Sequence, residues 1–306
     1  IIGTSNQQSI MLNHALLTLA YPFKSSELKD EELGVSIRSM LRFFNGPLNI
    51  LVVGDKPKCD LPKAVHHVRD GFHPDPLLDA IRKIEKINNM IERKQWIYCH
   101  DDMFALKPFD TDAVRTARYT YYRLYESWKP HNRWARAKKY TMRLLEADEI
   151  YDTATHCPRL FETEKVKKVL EFGKHKPGLW DFQIAYDEMF TPPSQLRQVQ
   201  DEGRFTRISE TPQSLDEVKE RCSEKTFLNT TSKGYNNYVK EYVESASGEE
   251  ISTPKPFGEE RDFAKKLPIY TKCIHRGKDT GETVKCGTCR ALTSEEPVFE
   301  CAVHGH

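Results

Sequence analysis

The sequence has little bias of any kind. Among 306 residues, 46 Lys and Arg stand against 45 Asp and Glu, for a formal net charge of +1. No global field of one sign draws in a polyanion or an anionic membrane, so contact with nucleic acid must come from a local patch. No run approaches the roughly 18 consecutive apolar residues of a spanning helix, which predicts no membrane span and a cytoplasmic protein. Internal repeats are missing, and so is an evenly spaced disulfide framework. Cys59, Cys99, Cys157 and Cys222 are scattered, whereas Cys273, Cys286, Cys289 and Cys301 crowd the end of the chain. That distribution suits a reducing compartment and a metal.

What is present from Glu32 to Phe109 is an alternation of helix and strand patterns. LGVSIRSMLRFF sets Leu33, Ile37, Met40, Leu41 and Phe44 at helical spacing, and Asn45-Gly46-Pro47 stops it. LNILVV (48–53) reads as a buried strand, AVHHV (64–68) as a weaker one. PLLDAIRKIEKINNMIERK carries Leu77, Leu78, Ile81, Ile84, Ile87 and Ile91 on one stripe, and WIYC (96–99) follows as another buried strand. Strands alternating with helices predict an α/β fold with a mostly parallel sheet, in which ligands sit beyond the carboxyl ends of strands.

WIYC runs directly into His100, Asp101 and Asp102. Two adjacent carboxylates repel each other and are costly to desolvate unless a cation or strong donors answer them. The pair therefore caps the next turn or holds a metal. In YDTATHCPRLFETEKVKKVLEFG (151–173), His156 stands two residues before Pro158 and leads into a Lys-rich helix. That histidine either orders its turn or serves a reaction as acid or base.

The His100-Asp101-Asp102-Met-Phe stretch with Lys107-Pro108, the Tyr151-Asp152…His156-Cys-Pro block and FLNTTSKGYNNYVKEYVE (227–244) together resemble the Stealth-type transferases and their phage and bacterial relatives. The resemblance covers about residues 30 to 245, with His100 standing where the family has Asn. It implies a GT-A-like fold and a nucleotide-sugar donor, with Mn2+ or Mg2+ on the sugar diphosphate. Some members transfer a sugar 1-phosphate rather than the sugar. Asp102 would be the main metal ligand and Asp101 a second ligand or a partner to the sugar. His156 would lie near the transferred group, and His100 near the cofactor. Arg38, Arg82 and Lys83 flank the strand ends and either meet phosphates or are solvated.

Residues 115–143 hold nine Arg or Lys, one acid (Glu126) and seven Tyr or Trp. Basic side chains neutralise phosphate and aromatic faces stack on bases or sugars. The segment is either an acceptor surface or an amphipathic helical hairpin broken at Lys129-Pro130. As an acceptor surface, Arg133 and Arg136, with Lys138 and Lys139, contact phosphates while Trp128 or Trp134 stacks. Phage relatives carry an Arg-Trp-rich insert here, which extends the resemblance to Arg133, Trp134 and Arg136. The acceptor is then nucleic acid, modified phage DNA among the options, or a glycan or small sugar.

The last segment has the most specific spacing. Cys273-x-His275, Cys286-x2-Cys289 and Cys301-x2-His304 place three pairs of soft ligands on Gly-bearing turns, a pattern that binds Zn2+. So short a segment needs a metal to fold. It resembles a tail found on bacterial and phage glycosyltransferases.

The organisation expected is a transferase domain over 1–250 with a basic, aromatic helical insert at 115–150, a linker at 251–262, and a zinc module at 263–306. The expected activity is metal-dependent glycosyl transfer in a bacterial or phage-infected cytoplasm. Sugar-1-phosphate transfer is the rival within that class. A non-catalytic nucleic-acid-binding or adaptor protein is the rival outside it.

Overall fold

In the computed structural model, the strand LTLAYPF, β1 (Leu17–Phe23), lies at the centre of the main sheet. The structure describes residue 12 and residues 16–25, 30–71, 73–174, 176 and 179–246. The expected linker and zinc ligands, Cys273, His275, Cys286, Cys289, Cys301 and His304, lie outside them. After β1 come α1 (Glu31–Phe43), β2 (Leu48–Gly54), β3 (Val65–Arg69), α2 (Pro76–Met90) and β4 (Gln95–Tyr98). The second half comprises β5 (Met103–Ala105), α3 (Thr111–Arg115), β6 (Arg118–Tyr119), β7 (Tyr122–Leu124), α4 (Arg133–Leu144), β8 (Glu149–Tyr151) and β9 (Arg159–Glu162). It continues with α5 (Thr163–Lys174), α6 (Phe182–Phe190), a 3-10 turn (Pro193–Gln195), β10 (Arg197–Gln198), β11 (Phe205–Ile208), α7 (Leu215–Cys222), β12 (Phe227–Thr230) and α8 (Asn237–Ala246).

The five-stranded sheet has the order β3-β2-β1-β4-β9. The first four strands are parallel, and β9 closes one edge antiparallel to β4. Period-2 alternation feeds two cores. Leu19, Tyr21, Ile50, Val52 and Ile97 face α1, where Leu33, Ile37 and Met40 recur at helical spacing. Ala20, Leu51, Val53, Trp96 and Tyr98 face the other way, onto Ile84 and Ile87 of α2, Val166 and Val169 of α5, and Tyr186 of α6. Asp75 caps α2 by accepting from the N–H groups of Leu77 and Leu78, with Pro76 at the first position, where its missing donor is harmless. A mostly parallel sheet covered by helices on both faces is therefore what the alternating pattern foretold.

A second sheet, β11-β12-β5, has β11 parallel and β5 antiparallel to β12. It packs Phe104, Ile208 and Leu228 on Val218 of α7 and Val239 of α8. Ser214 caps α7, its hydroxyl accepting from the Glu217 N–H at 3.2 Å.

Three expectations change. The central strand β1 has no counterpart in the sequence reading, which begins at Glu32; it contains Pro22, a residue rare in central strands. Pro22 is tolerated because β4 pairs with β1 only over Thr18–Ala20, so the proline lies past the end of that ladder. The 115–150 segment is not a helical hairpin. Its first half is extended, with β7 paired to β8 and β6 paired to β10, and only α4 is a helix of any length. Phe227–Thr230, at the start of the 227–244 block, forms a fully buried strand to which the sequence reading assigned no element. Among the described residues, no helix is long and apolar enough to cross a membrane.

Candidate active site

The strand order changes direction between β1 and β4: from β1 the chain builds outward through β2 and β3, then returns to add β4 on the other side. A crevice beyond the carboxyl ends of these two strands is the expected ligand position in such a sheet. The Cys99 N–H donates to the Ala20 carbonyl at 3.0 Å, one step past β4, and His100, Asp101 and Asp102 then carry the chain into β5 of the second sheet. Asp102 is pinned at this crossing. Its carbonyl accepts from the Thr230 N–H at 3.0 Å and from Asn229 Nδ2 at 3.1 Å, both on β12.

His156 arrives from the other side. The Thr153 and Thr155 N–H groups donate to the carbonyls two residues earlier, tightening the strap, and His156 adopts φ 48, a left-handed conformation uncommon for a residue with a Cβ. Strained backbone of this kind concentrates at functional sites. It delivers Nδ1 to Asp102 Oδ2 at 3.0 Å. The His100 ring stacks on that of His156 at 4.5 Å and meets Tyr98 edge-on at 4.8 Å. Ligand atoms of His100, Asp102 and His156 lie within 4.8 Å of one another, so these three residues can hold a metal ion.

Electrostatics separate the groups. Burial would raise Asp102, but the hydrogen bond and charge of His156, with help from His100 and Asn229, outweigh it and hold the carboxyl below its usual range. Burial likewise opposes the protonation of His156, and its bond to Asp102 reverses this and raises its pKa. The His156 side chain is 42 % exposed, so solvent screens the pair and a ligand can reach the ring. His100 is pushed down to about 3 by burial and then by the charge of His156, which keeps it neutral as a metal ligand must be. Asp101 rises to about 7 through burial and its neighbour Asp102.

Three residues of this crevice are absent from the sequence reading. Glu32, on the first turn of α1, is buried and raised to about 8 by burial and then by Asp101 and Asp102, with the Thr230 hydroxyl at 3.5 Å. Two acids opening a helix look like ordinary dipole complements, which hides Glu32. Asn229 sits on the overlooked strand β12. Arg207 on β11 pairs in register with Asn229; it is exposed and lies near enough for its charge to disfavour protonation of His156. No local motif marks it.

The expected phosphate cations are engaged elsewhere. Arg38 pairs with Glu244 at 2.8 Å, and Arg82 with Asp70 at 3.0 Å and Asp79 at 3.4 Å. Lys83 is buried, donating to Asp79 Oδ2 at 2.5 Å and to the Phe23 carbonyl at 2.7 Å. It holds the end of β1 to α2.

The basic, aromatic patch also divides. Arg133 forms an ion pair with Asp75. Lys138 donates to both oxygens of Asp152, at 2.7 and 2.6 Å, and Lys139 to the Trp128 carbonyl at 2.6 Å. Trp128 packs against Met142, Ile150 and Ile184. Arg136 and Trp134 remain exposed, the latter at 49 %.

No family model and no curated protein matches the sequence. Solved structures similar to it are glycosyltransferases at low identity. The apo structure of the bifunctional glycosyltransferase WbbM is 12 % identical with a TM-score of 0.45, over 82 % of this chain and 51 % of that one. GlyE of Streptococcus pneumoniae TIGR4 is 11 % identical with a TM-score of 0.39, over 85 % of this chain and 68 % of that one. Its apo form is 11 % identical with a TM-score of 0.38, over 77 % and 61 %. The chain spans about half the length of WbbM.

Proposed function

We propose that the protein is a metal-dependent transferase acting on a nucleotide-sugar donor, with Asp102, His156 and His100 holding the cation and Asp101 beside them. The observation that carries this reading is the Asp102–His156 pair at the β1/β4 switch point, with Asp102 Oδ1 buried and without a hydrogen-bond partner. A buried carboxylate oxygen left unsatisfied needs a partner, and a cation supplies one. Two imidazoles and a carboxylate suit Mn2+ better than Mg2+, which prefers oxygen ligands alone.

When bound, the cation neutralises charge on the departing diphosphate. The protein's own groups do the rest. Arg207 presents an exposed positive charge to the donor phosphates, and Asn229 fixes the backbone under Asp102. His156, held through Nδ1 by Asp102, has only Nε2 left, and would offer it to the cation as a neutral imidazole. Its exposure also supports the second reading, transfer of sugar 1-phosphate, in which the acceptor hydroxyl attacks phosphorus instead of the anomeric carbon.

A panel of nucleotide sugars with Mn2+, read for donor hydrolysis and for thermal stabilisation, tests the proposal. The expected result is one donor class turned over only with the cation. Phosphorus NMR of the product separates a nucleoside diphosphate from a nucleoside monophosphate, and so sugar transfer from sugar-phosphate transfer. No stabilisation and no turnover across the panel rejects the reading. We further propose that residues 263–306 bind one Zn2+ through four of Cys273, His275, Cys286, Cys289, Cys301 and His304; freshly purified protein without zinc by elemental analysis rejects that.

A further inference from the structure

A cavity of about 410 Å3 opens along the outer side of β9, within the range of small-molecule sites. β9 is an edge strand, and an open edge offers unpaired backbone groups to another strand. A side chain claims one of them here: the Glu162 N–H donates to Tyr186 Oη at 3.0 Å. The Arg159 side chain turns outward from the strand and donates to the Arg115 carbonyl at the end of α3.

The charges around this space cancel. Arg115 pairs with Asp112 at 3.5 Å, Lys165 with Glu162 at 2.7 Å, and Arg159 with Asp187, just behind the wall, at 2.8 Å. Three cations against three carboxylates leave no surplus to bind a phosphate. The wall offers planar hydrogen-bonding groups, joined by the amides of Gln95 and Gln195, next to the half-buried ring of Phe190, with the buried Tyr186 behind it. Adjacent ring hydroxyls of a sugar both donate and accept and so match such groups, while aromatic rings cover the apolar face of the sugar. Arg159 Nε and Asp187 Oδ2, behind the wall, are buried without partners.

We infer that this cavity is a subsite for an uncharged sugar unit of a glycan. Its wall residue Arg159 pairs across the sheet with Tyr98, the residue whose ring meets His100. A role in presenting an acceptor rests on the transferase reading above; the binding itself does not.

Saturation-transfer NMR on the full chain tests the subsite, with maltose, cellobiose, lactose and diacetylchitobiose as probes and inorganic phosphate as competitor. At least one disaccharide should receive saturation, resist displacement by phosphate, and bind equally well to Asp102→Ala. Arg115→Ala and Gln195→Ala alter exposed side chains and should each weaken binding, together by roughly tenfold. No saturation of any disaccharide, displacement by phosphate, or affinity unchanged in both variants overturns the inference. Disaccharide binding by a protein that turns over no nucleotide sugar overturns the transferase reading and leaves the subsite standing.

Discussion

Asp102 and His156 are 54 residues apart in the chain and meet at 3.0 Å, Oδ2 to Nδ1, where the first sheet hands the chain to the second. Neither residue reaches this position alone: β12 pins the backbone of one, and a left-handed turn aims the other. Removing Asp102 should therefore affect chemistry more than folding. Asp102→Ala is expected to lower Mn2+-dependent donor turnover by about 10³-fold, several kcal/mol of lost charge stabilisation, with a native circular dichroism spectrum. Undiminished turnover in this variant, or in EDTA, counts against a metal at this position.

The backbone of His156 allows a separate measurement. Both His156→Gly and His156→Ala lose the imidazole, but only glycine takes φ near 48 without a steric penalty. The glycine variant should be the more stable by about 1 kcal/mol in urea denaturation. Equal stability means that the turn relaxes and is not held.

The carboxylates of the crevice set a pH dependence. Asp101, at about 7, and Glu32, at about 8, retain protons in the folded metal-free protein that the unfolded chain releases near pH 4. These two acids make stability fall as pH rises from about 4 to about 8; His100, at about 3 in the folded state, offsets one of the two protons below about pH 6.5, so the fall is steeper above that pH. Thermal melts of metal-free protein should show that slope, and Glu32→Gln should flatten its upper part. An unchanged slope in the variant excludes Glu32 as a cause.

Arg207 is exposed, so Arg207→Ala should leave the melting temperature unchanged. Losing one charged contact to phosphate, worth roughly 1.5–3 kcal/mol, weakens donor binding by about ten- to hundredfold. Calorimetric titration of the donor with Mn2+ measures this. Unaltered affinity moves the diphosphate elsewhere.

The basic residues divide by partner. Lys83→Ala leaves the buried Asp79 with only its longer ion pair to Arg82, at 3.4 Å, and should destabilise the fold by about 3 kcal/mol. Lys138→Ala likewise takes a cation from Asp152, less severely, since Lys138 is 14 % exposed. Arg136→Ala should change stability by no more than about 0.5 kcal/mol. Chemical denaturation orders the three, and a neutral Lys83→Ala makes that lysine available for another role.

How much of this was legible in the sequence follows from the range of the forces involved. α1, β2, α2 and β4 are written in local periodicity, because each buries a face that recurs at its own repeat. Asp101 and Asp102 were legible as carboxylates at the exit of a buried strand, and His156 as a histidine in a turn block. The central strand β1 was not, since Pro22 breaks the local rule and only the short pairing of β4 makes it permissible. Nor were Glu32, Asn229 and Arg207, which reach Asp102 and His156 from α1, β12 and β11 when the second sheet closes. The basic patch shows the same limit. Composition counts cations, but whether a lysine is free depends on an acid that folding brings to it. For Lys138 that acid is Asp152, and for Arg133 it is Asp75, far away in sequence, because an ion pair is decided by distance in space.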